Sequence, residues 1–310
     1  RIGALLGGIF ILGVLLFLLV IKPGIDARDS YRLGLAEIAR GNWADAEKHF
    51  KQGEDLGGKD IDWYARYGLA YRERKEYAWA IRKFQDGLKV QPRHLETWML
   101  LGETYAMNRE FGKARAEFEK LQRAYPENLR VLEKIGDLYV MHGDNSRAGR
   151  DETTAKVYYE TAENYYEKIL KLDWDDLRGQ FKMLRVYVRK DEERRVRLKL
   201  DQIERISAGA LDVPVYTEVA EYFQQKADWY KSRDLLKGVL ARDGRYALGN
   251  YFMGRFYQEK QDWPRAELHL NRAISAVMMP QLPRTSAAAS RKAGISFRSR
   301  KTIITAIMAV

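Results

Sequence analysis

Cysteine is absent from the 310 residues, so disulfides, thiolate zinc sites and lipid attachment through a cysteine are all excluded. Proline, which stops helices, occurs only 7 times. Catalytic signatures are missing as well. No HExxH pair, no phosphate-cradling glycine loop and no GxSxG nucleophile elbow occurs. Histidine is scarce. His49 and His269 recur at equivalent positions beside Phe50 and Leu270, which suits packing or surface roles, and His94 and His142 complete the set. The acidic run Asp173–Asp176 lacks the glycine and glutamate that a calcium loop places downstream, so it reads as a helix-terminating turn. No acidic residue follows Glu267, and the 7 lysines and arginines from Arg272 onward account for much of the net charge of +11. Elsewhere both signs are interspersed, so no basic stripe exists to grip nucleic acid. We therefore expect no catalytic residue, metal, cofactor or nucleic-acid partner.

Long apolar runs are also scarce, with one exception. Ile2 to Ile21 is twenty positions without a charge, long enough as a helix to cross the roughly 30 Å hydrocarbon layer. Lys22-Pro23-Gly24-Ile25 follows and offers no small-residue cleavage site. Residues 1–24 are expected to be a transmembrane anchor.

Beyond the anchor the chain repeats itself. Tyr64, Gly68, Tyr71, Tyr77, Ala80, Phe84 and Pro92 recur 34 residues later as Trp98, Gly102, Tyr105, Phe111, Ala114, Phe118 and Pro126. Glycine in mid-helix costs about 1 kcal/mol relative to alanine, so Gly68 and Gly102 imply a second helix crossing too close for a Cβ. Ala80 and Ala114 would be the small residues on that helix, with Phe84 and Phe118 in the layer below. The same frame carries Gly34, Trp43, Ala46 and Phe50 earlier, and Gly254, Tyr257, Trp263, Ala266, Leu270 and Ala273 later.

This gives seven copies, 27–60, 61–94, 95–128, 129–176, 177–212, 213–246 and 247–280, and a basic low-complexity tail, 281–310. The fourth copy holds fourteen extra residues between Gly136 and Ala162. They include the polar stretch His142–Asp151, read as an inserted loop whose Asp144, Asn145, Arg147 and Arg150 are contact candidates. Part of it is expected to extend the second helix back to about Glu152. In the fifth copy the mixed-sign run Asp191–Lys199 reads as a solvated helix face.

The period and the order of aromatic, glycine, alanine, phenylalanine and proline resemble the tetratricopeptide repeat family. That resemblance implies an all-α solenoid of about seven helix-turn-helix units in a right-handed superhelix, behind an N-terminal transmembrane helix. It also implies a groove, lined by the first helix of each unit, that holds a helix or peptide of a partner protein. The slots that would face it are Tyr31, Leu35, Ala65, Leu69, Met99, Glu103, Glu133, Asp137, Phe181, Arg185, Tyr251 and Arg255. These do not match the lysine-and-asparagine clamp with which some members hold a partner's C-terminal carboxylate. The combination with a membrane span is similar to bacterial inner-membrane proteins, with the repeats in the periplasm. It implies a scaffold assembling an envelope complex, a periplasmic structure of the flagellar motor being one such case. An adaptor that transiently captures client peptides and a regulatory subunit of an enzyme are the alternatives.

Overall fold

The computed structural model describes residues 11–58 and 60–278. Fourteen α-helices and no strand occur among these residues, paired into seven hairpins. The first three hairpins are α1 (Lys22–Ala39) with α2 (Trp43–Asp55), α3 (Ile61–Glu73) with α4 (Tyr77–Val90), and α5 (Leu95–Met107) with α6 (Phe111–Ala124). The fourth joins α7 (Leu129–Ala148) to α8 (Glu152–Leu172). The last three are α9 (Leu177–Arg189) with α10 (Glu193–Ile206), α11 (Val213–Gln225) with α12 (Trp229–Arg242), and α13 (Ala247–Glu259) with α14 (Trp263–Met278). The chain divides into two compact units, residues 1–165 and 166–310.

The glycines work as their positions imply, but against rings. A Cβ on Gly68 would lie 2.5 Å from the Phe84 ring, and one on Gly102 2.8 Å from that of Phe118. Phe84 and Phe118 are buried, as are Ala80 and Ala114 one turn earlier. Each ring therefore packs directly against the opposite backbone, and burying it contributes about 2–3 kcal/mol. In the first hairpin Phe50 meets Gly34 in the same way.

Every hairpin turns at one slot, seven residues after the glycine position, in the left-handed region of the backbone. Gly41 takes it in the first; Lys75, Arg109, Arg150, Asp191, Ala227 and Gln261 take it in the others, with φ between 56° and 66°. A side chain there costs about 1–2 kcal/mol, yet six of seven copies carry one. The first helix of a hairpin is instead started by a side-chain cap. Asp60, His94, Asn128, Asp176 and Asp212 each accept a backbone N–H from the first turn. Asp173–Asp176 thus starts α9 as well as ending α8.

The fourth hairpin corrects the expected loop. Its turn at Arg150 lies 41 residues after that at Arg109 and 41 before that at Asp191, against the usual 34. The extra fourteen residues are seven on each helix, nearly two full turns each. The packing frame is met a second time in the added turns, where a Cβ on Gly143 would strike the Tyr159 ring at 2.5 Å. Ala155 and Tyr159 are fully buried, and so are Ala162 and, at 1% exposure, Tyr166, further along the helix. The polar stretch is helix as far as Ala148, and α8 starts at Glu152 as expected.

At the N-terminal end, residues 11–21 are helical, with a π-type turn over Phe17–Ile21, and run directly into α1. Among the described residues no helix is long and apolar enough to cross a membrane. The expected span 2–21 lies partly outside them, since residues 1–10 are not described, and the tail 281–310 lies wholly outside.

Two glycines should respond oppositely to substitution. Gly102→Leu is expected to cost about 2 kcal/mol or more in urea melts by forcing Phe118 off its seat. Gly112→Ala, where nothing lies within 4 Å of the new Cβ, should add about 1 kcal/mol from helix propensity alone. Relief of backbone strain sets a second expectation: Ala227→Gly should raise the melting midpoint, by about 1 kcal/mol of stability.

Candidate functional site

The slots expected to face a groove fall into two classes. Tyr31, Ala65 and Met99 are no more than 9% exposed and lie inside the N-terminal unit. Tyr31 stacks on Trp63 of the next hairpin at 4.3 Å between centroids. This slot points at the following first helix, so these three are core residues and are corrected as contact candidates. Leu35 and Leu69, four residues further on, are partly buried against the same core. Glu103, Glu133 and Asp137 are half-buried.

The charged members of that second slot are tied across repeats. Glu103 on α5 accepts from Arg72 on α3 at 2.9 Å and pairs with Lys134 on α7 at 2.6 Å. Three successive first helices are thereby cross-linked. Burial opposes the Lys134 charge, but the Glu103 hydrogen bond, and the carboxylates of Glu103, Asp137 and Glu133, outweigh it and hold its pKa above the usual lysine range.

In the second unit Arg185 donates to Glu218 at 2.8 Å, and Arg189 pairs with the same carboxylate. Burial raises the pKa of Glu221 against the pull of Arg255. Arg255 and Tyr251 are half-buried, and both lie beside Phe252. Glu218 and Glu221 were not foreseen, although α11 presents them two residues before and one after the Ala220 slot that aligns with Gly68.

The insertion candidates are helical side chains except at the turn. The Tyr159 hydroxyl donates to Asp144 at 2.7 Å. Arg147 donates to both Glu152 oxygens at 3.2 Å and lies over the Tyr159 ring. Asn145 accepts the Gly149 N–H through its carbonyl, and Arg150 is exposed at the turn. The lengthened hairpin docks on the third by stacking. His142 lies between Phe111 at 4.3 Å and Tyr158 at 3.8 Å, and burial with Arg115 nearby holds its pKa below the ordinary histidine value. Among the described residues no group of histidines and carboxylates is arranged to hold a metal.

A shallow cleft lies in the second unit. Arg178, Phe181, Lys182 and Arg185 of α9 face Asp212, Pro214 and Val215 at the start of α11 around a cavity of about 220 Å³. The ring of Phe181 meets Tyr216 edge-on at 6.1 Å. Sites for small ligands run to about 300–1,000 Å³, so this one suits a single large side chain. The Phe181 ring forms part of the wall, and Arg185 at its edge is already engaged by Glu218. Of the lining residues, only Phe181 and Arg185 were among the sequence candidates.

This geometry is that of a known repeat. Residues 31–85 and 68–128 match the family model described as the tetratricopeptide repeat. Residues 31–128 are thus tetratricopeptide repeats, and the remaining hairpins share the fold. A tetratricopeptide repeat protein from Parabacteroides merdae superposes with a TM-score of 0.61 at 14% identity, covering 92% of this chain and 100% of its own. A thermophilic tetratricopeptide repeat protein of Thermus thermophilus gives 0.50 at 16% identity, over 67% of this chain and 99% of that one. PilW, described as a widely conserved type IV pilus biogenesis factor, gives 0.53 at 14% identity, over 70% and 92%. These likenesses concern the fold. No curated protein matches the chain.

Behind the cleft helix, Lys199 corrects the solvated face expected for Asp191–Lys199. It is only 8% exposed and donates to Gln180 and Gln202 at 2.8 and 2.7 Å. Burial first, then repulsion from Arg195, push its pKa down to about 8 against the attraction of Glu167. The unfolded chain therefore binds more protons between pH 8 and the ordinary 10.5, and stability rises with pH through that window. Against a Lys199→Met variant, the wild-type chain should gain roughly 2–3 kcal/mol between pH 7.5 and 10.5 in urea melts. Parallel pH profiles would refute the assignment.

Proposed function

We infer that the array is a protein-interaction scaffold, as tetratricopeptide repeats bind other proteins. We propose that it works at a membrane, held by residues 2–21, and assembles a protein complex in a bacterial envelope with its repeats outside the cytoplasm. The observation that carries this reading is the helix leading into α1. Ile11, Leu12, Leu15, Leu16, Phe17, Leu18, Leu19 and Ile21 are all 47–72% exposed. Apolar side chains exposed on all sides of one helix find no stable place in water, and lipid is the solvent that accepts them. A pilus biogenesis factor with this fold is an example of work in such an assembly; a flagellar-motor structure is another assembly of the same kind. In this reading the chain catalyses nothing itself, and its partner is a protein presented to the faces of the first helices.

The cysteine-free chain allows both parts to be tested at once. With Ala148, exposed near the long hairpin's tip, replaced by cysteine, the full chain should resist alkaline carbonate extraction. It should also react with an impermeant maleimide in cells whose outer membrane has been opened. Release by carbonate would refute the anchor, whereas labelling only after lysis would keep the anchor and place the repeats inside.

A further inference from the structure

The second helices carry a stripe of side chains that the following hairpin covers. On α2 it is Trp43, Glu47, Lys51 and Glu54, which follow Gly34 by 9, 13, 17 and 20 residues. From the second hairpin, Arg74 lies over the Trp43 ring at 4.6 Å, the Tyr71 hydroxyl donates to Glu47 at 3.0 Å, and Lys83 pairs with Glu54. On α4 and α6 the stripe includes Gln85, which donates to the Tyr105 hydroxyl, and Gln122, which accepts from Tyr165. His142 stacks there on Phe111. In the second unit Arg197 of α10 reaches Asp228, and Arg233 of α12 lies over Phe256. On α14, the last described helix, the stripe is Trp263, Glu267, Asn271 and Ile274. No hairpin follows it among the described residues. Trp263 is 61% exposed, and Glu267 is exposed and has no partner there.

An indole at this position is completed by a cation from the next element, as Trp43 is by Arg74. A second copy stacked end to end is a poor source. It would set Glu37, the counterpart of Tyr71, against Glu267, and two facing carboxylates repel. The chain's own continuation suits the face better, since residues 281–310 hold six lysines and arginines and no acid. From Trp263 to Met278 the helix runs about 22 Å, which an extended chain spans in about seven residues. Arg284 is six residues past Met278 and falls short, whereas Arg291 and Lys292 reach Trp263 with slack. We propose that residues 281–310 lie back along this stripe, with Arg291 or Lys292 over Trp263 and paired with Glu267. The tail then closes the array where an eighth hairpin would otherwise stack, and a partner hairpin binds there only by displacing it. This does not depend on the membrane reading.

Disulfide trapping within one chain tests this, because the chain has no cysteine of its own. Ser290→Cys places a thiol beside Arg291, and Asn271→Cys places one on the stripe. Leu268→Cys, exposed on α14 but about 100° round the helix from Glu267, serves as the reference. Full-length protein, dilute in detergent, is oxidised. The yield of the closed ring from Asn271→Cys with Ser290→Cys should exceed that from Leu268→Cys with Ser290→Cys at least threefold. Trp263→Ala should lower the stripe yield at least threefold, and so should Glu267→Lys, with helical circular dichroism unchanged. Adding Arg291→Glu and Lys292→Glu to Glu267→Lys should restore it, which a tail that merely sweeps past the helix would not do. Equal yields for stripe and reference overturn the proposal. So does a yield indifferent to Trp263→Ala or Glu267→Lys, or one that the swapped charges fail to restore. Disulfides formed between chains instead of within them would assign the face to a second copy and overturn it too.

Discussion

In five of the seven hairpins the crossing rests on one contact, a bulky side chain of the second helix laid on bare backbone of the first. In the first unit Gly34, Gly68, Gly102 and Gly143 leave room for Phe50, Phe84, Phe118 and Tyr159 respectively. The distance between the two helices follows from the thickness of a ring instead of from two side chains. Ala80 and Ala114, buried a turn before those rings, let the helices close further toward the turn. Where the second unit puts Leu184 or Ala220 at the glycine slot, the facing position holds Leu200 or Leu236, a smaller group than a ring. The last hairpin keeps the glycine, Gly254, but sets Leu270 against it.

The long fourth hairpin shows how rigid that rule is. Seven residues at 100° each bring a helix back to within about 20° of its starting face. An addition of seven per strand therefore presents the same stripe again, and Gly143 meets Tyr159 as Gly102 meets Phe118. Five extra residues on each helix would have rotated the apolar stripe into water. The stacking of Phe111, His142 and Tyr158 then ties the added turns to the hairpin before them.

Much of this was legible from residues at fixed offsets, because ring, glycine and alanine slots depend only on contacts within one hairpin. Contacts between hairpins were less legible. Tyr31 and Met99 were placed in a groove by the family resemblance, which does not say whether a partner or the next helix lies opposite a given apolar side chain. The turn at Arg150 was hidden for a different reason: His142–Asp151 has the polarity of a loop, and only the second glycine frame at Gly143 betrayed the helix. Lys199 looked solvated because its neighbours in sequence are charged, whereas its buried partner Gln180 lies on the preceding helix. The cleft needs α9 and α11 side by side, so no local pattern could announce it.

The helix described from Ile11 passes through Ile21 into α1 without a break. No swivel separates the apolar stretch from the first hairpin, so whatever grips Ile11–Ile21 also sets the compass bearing of Tyr31 and its neighbours. Adding one residue between Ile21 and Ala27 would turn that hairpin by about 100° and lift it by about 1.5 Å. The stretch acts as a keyed shaft and not as a tether, and its length and phase become part of how the first hairpin is presented.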